Sequence, residues 1–285
     1  MLAFPITDTH VHFWNPNELR YPWLAGNAKL NRPFLPADYT AACGAVAVER
    51  IVFVECGGPG DQAEAEANWV SELAQTDPWI QAIVAHAPLE QGQEVAPILE
   101  RLAAKPWVRG IRRLLQGESE PGYALRPEFI AGVQLLPRYN LSFDICIRHH
   151  QLPDVIELVR RCPEVRFVLD HIGKPHIKAG MREPWQTNIQ TLAGLPNVHC
   201  KVSGLVTEAD RISWTDDDLR PYVEAVIGAF GWERVFYGSD WPVSTQAAEY
   251  PRWVAALDTL TAGCSEAEKR ALFAENGARF YRVDD

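Results

Sequence analysis

The sequence predicts a single (β/α)8 TIM-type barrel spanning residues 1–285. Three observations carry this prediction. Short apolar runs recur eight times at roughly regular intervals, helix-like segments lie between them, and the composition does not change regime along the chain. The length of 285 residues suits one such barrel, which takes ~250. A doubly wound open sheet is the alternative. It is disfavoured because no phosphate-cradling loop follows an early strand: "CGGPGD" at 56–61 lacks both GxGxxG and GxxxxGK spacing.

The elements follow in order. "ITDTHV" (6–11) is the first strand, and the long aromatic- and proline-rich connection 13–36 follows it. "RIVFVEC" (50–56) is the second strand. "DQAEAEANWVSELAQ" (61–75) is a helix, with Trp69, Val70 and Leu73 at helical spacing. "QAIVAHA" (81–87), "VRGIRRL" (108–114) and "SFDICIR" (142–148) are strands three to five. "LPDVIELVRRC" (152–162) is a helix with Pro153 in its first turn. "RFVLDH" (166–171) and "VHCKVS" (198–203) are strands six and seven. "TDDDLRPYVEAVIGAFG" (215–231) opens with acids that suit a helix N-terminus and stops at Gly231. "VFYGS" (235–239) is strand eight, and "SEAEKRALFAENGARFY" (265–281) is a C-terminal helix opened by a Ser265–Glu268 capping box. Several strands are rich in Val and Ile without clean alternation, as parallel strands covered on both faces are. Long loops in compact domains tend to be functional, which singles out 13–36.

The net charge is −10, with acids scattered, and this disfavours nucleic acid as a partner. The six cysteines (43, 56, 146, 162, 200 and 264) form no CxxC pair. "MLAFPITDTH" lacks the marks of a signal peptide, and no apolar run approaches the ~20 residues of a membrane span. The expectation is a reduced, soluble, cytoplasmic protein without a membrane partner. The sequence leaves the oligomeric state open.

In a barrel of this kind the active site sits at the C-terminal strand ends. There strand one offers His10 and His12, two apart and therefore on one face. Alone, this HxH pattern is equally consistent with a metal or proton-handling site and with packing. Strand six ends in "VLDHIGKP", with Asp170, His171 and Lys174. Strand eight ends in "YGSDWPV", where Asp240 is a candidate general base or, alternatively, a helix N-cap. Further strand-end candidates for substrate binding are Glu55, His86, Arg112, Arg113 and Lys201. His149 and His150 are adjacent, so at most one faces the pocket. Trp14, Trp23 and Trp241 suit the flat faces of small rings, or ordinary packing.

Together "TDTHVHFW", "LDHIGKP", "GSDWP" and "ENGARFYR" resemble the amidohydrolase superfamily, in particular its amidohydrolase 2 branch of lactonases and some decarboxylases. The resemblance runs from residue 6 to about 281. It implies a distorted (β/α)8 barrel and makes His10, His12, His171 and Asp240 the core site residues. Binuclear members carry a carboxylated lysine at the end of strand four. Strand four here offers Arg112 and Arg113 instead, which argues for at most one metal, zinc or manganese, held by His10, His12, His171 and Asp240. The resemblance also covers members that hydrolyse without a required metal. The expected activity is hydrolysis of a small lactone, foremost a sugar-derived aldonolactone. Asp240 would activate water, and the histidines or a metal they hold would polarise the carbonyl. The alternative is a metal-dependent non-oxidative decarboxylase of an aromatic or unsaturated acid. A non-catalytic barrel is disfavoured because all four core residues are present.

Overall fold

The computed structural model describes residues 2–283. Eight parallel strands run β1 (Ile6–Val11), β2 (Val48–Val54), β3 (Ile80–His86), β4 (Val108–Arg112), β5 (Ser142–Ile145), β6 (Phe167–Leu169), β7 (Val198–Val202) and β8 (Val235–Tyr237), in sequence order around one sheet. A parallel bridge between Val11 and Trp241 brings β1 beside the segment after β8 and closes the barrel. Helices α1 (Pro36–Cys43), α2 (Ala63–Thr76), α3 (Ala96–Ala103), α4 (Pro127–Val133), α5 (Leu152–Arg161), α6 (Trp185–Ala193), α7 (Leu205–Glu208), α8 (Asp216–Phe230) and α9 (Tyr250–Leu260) alternate with the strands. The C-terminal helical span is not uniform: α10 (Glu266–Arg270) passes through a π turn at 271–275 into α11 (Asn276–Tyr281). Strands six and eight are shorter than the sequence suggests, because the chain leaves the ladder after Leu169 and Tyr237 and turns its polar residues into the barrel mouth; strands four and five also end early, at Arg112 and Ile145.

The two faces of the strands enter different cores. Ile51, Phe53 and Ile83 pack outward under the helices. Their neighbours Val52, Val54, Ala82 and Val84 point inward and join Val168, Phe236, Phe280, Tyr281 and Val283. The segment after α10 therefore fills the bottom of the barrel. The fit is tight enough that a Cβ on Gly277 would meet Thr9 Cγ2 at 2.2 Å. The lower half of the barrel is apolar and the upper half is charged.

Candidate active site

His10, His12, His171 and Asp240 meet at the C-terminal ends of β1, β6 and β8, and all four are buried. Asp240 Oδ1 lies 3.4 Å from His12 Nε2 and 3.8 Å from the Nε2 atoms of both His10 and His171. The hydrogen bond behind His12 sets the position of its proton. His12 Nδ1 is 2.7 Å from Val54 O. A carbonyl only accepts, so Nδ1 carries a proton, and in the neutral ring Nε2 offers a lone pair toward Asp240. His10 Nε2 is 3.2 Å from Arg112 Nη1 and its Nδ1 is 3.3 Å from Lys201 Nζ; both neighbours only donate, and the neutral ring accepts from one of them. His171 Nδ1 is 2.9 Å from Ser203 Oγ, a hydroxyl that can serve either tautomer. Burial pushes the His10 and His171 imidazoles well below their ordinary pKa, so both rings are neutral.

The backbone behind His171 is unusual. His171, Ile172, Gly173 and Lys174 all have positive φ (55°, 49°, 74° and 49°), making one left-handed turn. Each non-glycine residue there costs roughly 1–2 kcal/mol, and a β-branched isoleucine is a poor occupant. The surroundings hold it in place. Trp185 Nε1 donates to Ile172 O at 2.7 Å, and Lys174 N donates to His171 O at 2.9 Å. Gly204 leaves the space the ring occupies, since a Cβ there would stand 2.6 Å from His171 Nδ1. The turn brings both His171 and Lys174 to one cavity wall. Asp240 is also left-handed (φ 58°).

Below the histidines lies a buried ion network. Lys201 Nζ is 2.7 Å from Asp144 Oδ2, 3.1 Å from Asp170 Oδ1 and 3.3 Å from His10 Nδ1. Arg112 pairs with Glu55 at 2.7 Å and with Asp170 at 3.2 Å, and also donates to the Glu55 carbonyl. Tyr281 from α11 donates to Asp144 at 2.6 Å. Burial alone would raise the Asp170 carboxyl, but Lys201, His10 and Arg112 hold it well below the usual range. For Asp144 burial prevails over Lys201 and the carboxyl is raised. Buried charges persist only when paired, and here the pairing fixes His10 from behind.

The loop after β1 is pinned over this site. Trp23 Nε1 donates to Cys56 O at 2.7 Å, and Tyr21 OH donates to Glu66 Oε1 at 3.1 Å. Glu66 also accepts from Cys56 N, and burial together with the neighbouring Glu55 pushes its carboxyl up to about 8. Glu66 therefore keeps its proton in the folded protein while the unfolded chain loses it near pH 4.5. The folded state binds more protons across that window, so this group makes stability fall as pH rises from about 4.5 to 8. Glu66→Gln keeps the acceptor and removes the ionisation. The variant is expected to gain on the order of 2–4 kcal/mol over wild type at pH 8–9 and little at pH 5. Urea unfolding at the two pH values checks this; an equal change at both would refute the assignment.

A cavity of about 270 Å³ opens above the four core residues. It is lined by polar His12, Arg112, Gln116, His171, Lys174 and Asp240 and by apolar Trp23, Cys56, Leu114, Cys146 and Val243, with Gly57. The structure thus brings six of the sequence candidates to one wall: His12, Trp23, Arg112, His171, Lys174 and Asp240. His10 lies directly beneath. Other candidates stand elsewhere. Trp14 and Trp241 are buried in an aromatic cluster with Phe13 and Phe34, because their rings complete the core under the loop. Arg113 turns to Glu90, Glu118 and Tyr123 outside the cavity, as its position next to inward-facing Arg112 requires. His86 does not line the cavity, and burial lowers its pKa. Glu55 and Lys201 are spent on the ion network rather than on a ligand. His149 and His150 lie in a single helical turn after β5, and neither lines this cavity. Sequence reasoning did not find Gln116, Leu114, Val243 or Asp144. Asp144 had a signal: a lone acid in "SFDICIR" needs a buried partner, and Lys201 in "VHCKVS" is its match.

The donor set fits one divalent ion. Ligands ~2.0–2.1 Å from a tetrahedral zinc stand ~3.4 Å apart, close to the 3.4–3.8 Å separations around Asp240 Oδ1. His10, His12 and Asp240 meet the spacing of a metal site, as do His10, Asp170 and His171. The Nδ1 bond of His12 to Val54 O is the kind of supporting bond that imidazole ligands use, and Asp170 Oδ1 stands 3.4 Å from His10 Nδ1. Arg112 does not depend on its His10 contact, since Nε and Nη2 hold Glu55 and Nη1 holds Asp170. A second ion finds no bridging lysine; Arg112 occupies that place on β4.

Comparison with known proteins agrees with this architecture. The family model described as amidohydrolase matches residues 7–283. An L-fucono-1,5-lactonase of Burkholderia multivorans is 33% identical over 290 residues, covering 98% of this chain and 96% of that protein. An L-fucono-1,5-lactonase of Burkholderia ambifaria is 32% identical over 284 residues, covering 97% and 95%. The crystal structure of an amidohydrolase from Burkholderia multivorans with bound zinc superposes with a TM-score of 0.86 at 31% identity, covering 98% of this chain and 99% of that one. With its barrel, its HxH pair on β1, its histidine after β6 and its aspartate after β8, the chain belongs to the amidohydrolase family.

Proposed function

We propose that this enzyme hydrolyses a small lactone, foremost a sugar-derived 1,5- or 1,4-aldonolactone, with Asp240 as the base. The observation that carries the reading is the convergence of three imidazole Nε2 atoms on Asp240 Oδ1 at the floor of a cavity sized for one small ring. Water held by Asp240 and the His12 Nε2 lone pair gives its proton to Asp240 as it attacks the lactone carbonyl. The carbonyl oxygen becomes an oxyanion. Because His12 presents its Nε2 lone pair there, it does not donate to the oxyanion directly. Lys174 Nζ and the Nε2–H tautomer of His171 are the donors available. Asp240 then returns the proton to the leaving ring oxygen, and the product is a hydroxy acid. A divalent metal, when bound, would supply Lewis-acid polarisation through His10, His12, His171 and Asp240. The apolar wall of Trp23, Leu114 and Val243 suits the ring face or methyl group of a deoxy sugar lactone such as the substrates named for the relatives.

The decarboxylase reading needs an arginine free to hold a substrate carboxylate. Arg112 is occupied by Glu55 and Asp170, and Arg113 by Glu90 and Glu118. The lactonase reading is therefore preferred. A pH-indicator assay over a panel of aldonolactones, corrected for spontaneous opening, tests it with and without chelator. The expected result is acid release that survives chelation, because Asp240, Lys174 and His171 belong to the chain itself. Loss on chelation with recovery on zinc would transfer the oxyanion role to the metal, and no acid release from any lactone would refute the reading.

A further inference from the structure

We infer that Gln116 is a specificity-determining residue that joins Lys174 in a donor-only patch for one electron-rich oxygen of the substrate. This rests on the lactonase reading of the same cavity. Gln116 lies after β4 on a rigid backbone: Leu115 N and Gln116 N both donate to Cys146 O, at 3.1 and 3.0 Å, and Gln151 Nε2 donates to Leu115 O at 2.8 Å. Its amide orientation follows from its neighbours. Lys174 Nζ donates to Gln116 Oε1, and Cys146 Sγ approaches the same oxygen at 3.7 Å. An ammonium only donates, so the oxygen must face Lys174, and Oε1 has both lone pairs engaged. The Nε2 end, with two N–H donors, has no hydrogen-bond partner among the described residues, and Gln116 lines the cavity.

The rest of the cavity strengthens the point. Lys174 is held by a neutral amide, not by a carboxylate. Arg112 is already neutralised by Glu55 and Asp170. Asp240 is the one carboxylate in the lining. The wall away from Asp240 thus offers donors and apolar surface, with no free side-chain acceptor. It reads an oxygen that accepts: a ring hydroxyl oxygen or a substrate carboxylate. The left-handed turn at 171–174 fixes Lys174 against Gln116, so the two donors form one rigid unit.

The test compares wild type with Gln116→Met and Gln116→Glu. Steady-state kinetics use L-fucono-1,5-lactone, its ring-deoxy analogues and a carboxylate-bearing lactone. Calorimetric binding of L-fuconate and citrate, which needs no turnover, runs beside them. Gln116→Met is expected to raise KM and the matching dissociation constant about 10- to 100-fold with kcat nearly unchanged. If the loss vanishes for one deoxy analogue, the oxygen is that hydroxyl. If it is confined to carboxylate-bearing ligands and is greatest in Gln116→Glu, the oxygen is a carboxylate. Unchanged KM and binding for every ligand, or a loss in kcat alone, would overturn the assignment. Should wild type open no lactone yet bind L-fuconate or citrate through Gln116, the lactonase reading fails and the patch stands. If Gln116→Met does not fold, Lys174→Gln probes the same patch from the other side by calorimetric binding alone, where a 10- to 100-fold weakening is expected and unchanged binding would overturn the assignment.

Discussion

Asp240→Asn is expected to lower kcat on an aldonolactone by about 10²–10⁴-fold while leaving KM and melting temperature near wild type. The substitution isolates the chemistry because little else changes. Asp240 has a left-handed backbone, which asparagine adopts readily. Its N–H donates to His10 O at 2.9 Å and its carbonyl accepts from Ser244 N at 2.8 Å; both bonds involve main chain only. The amide keeps the shape of the carboxylate but cannot take a proton from water. A rate within a few-fold of wild type would place the base elsewhere, with the His12 Nε2 lone pair as the nearest alternative.

The largest expected effect on stability comes from Lys201→Met. Lys201 is fully buried between Asp144 and Asp170. Methionine fills similar volume but leaves two carboxylates facing each other without their shared cation. Breaking such a pair costs about 3–5 kcal/mol, because the remaining charge stays buried. The pH dependence has a definite sign. Asp170 is depressed in the folded protein, so its contribution is present above the unfolded aspartate pKa of ~3.9 and is lost as pH falls through the lower folded value. The gap between wild type and variant should therefore narrow as pH falls. Adding Asp144→Asn to the variant should recover part of the loss. Urea unfolding of the single and double variants checks both statements; a single-variant loss below about 1 kcal/mol would mean the network contributes no net stability.

The fold was legible because parallel strands buried on both faces announce themselves as Val- and Ile-rich runs. All eight runs became strands, and the lengths between them left room for helices. The core of the site was legible for a related reason. A polar residue at the end of an apolar strand has few places to go, and His10, His12, His171 and Asp240 go to the barrel mouth together. The sequence was less informative about direction. Arg112 and Arg113 are adjacent, and only strand parity in the folded barrel sends one inward and the other out. Trp14 and Trp241 look like Trp23 in sequence, yet only Trp23 keeps exposure, at 41%, because the loop pins its N–H to Cys56 O. The left-handed turn at 171–174 left almost no trace, since Gly173 alone marks it. Gln116 was invisible because its role depends on a lysine 58 positions away.

The ion network has an evolutionary consequence. Glu55, Arg112, Asp144, Asp170 and Lys201 are tied to one another, so a single substitution strands a buried charge and must wait for a compensating second. Such positions are strongly epistatic, and drift through them is slow. Trp23, Leu114 and Val243 touch the cavity without carrying charge. A lineage acquiring a new lactone can change the rim residues one at a time while the chemistry beneath stays fixed. Libraries aimed at altered substrate range should accordingly be built on the rim, with the five charged residues held constant.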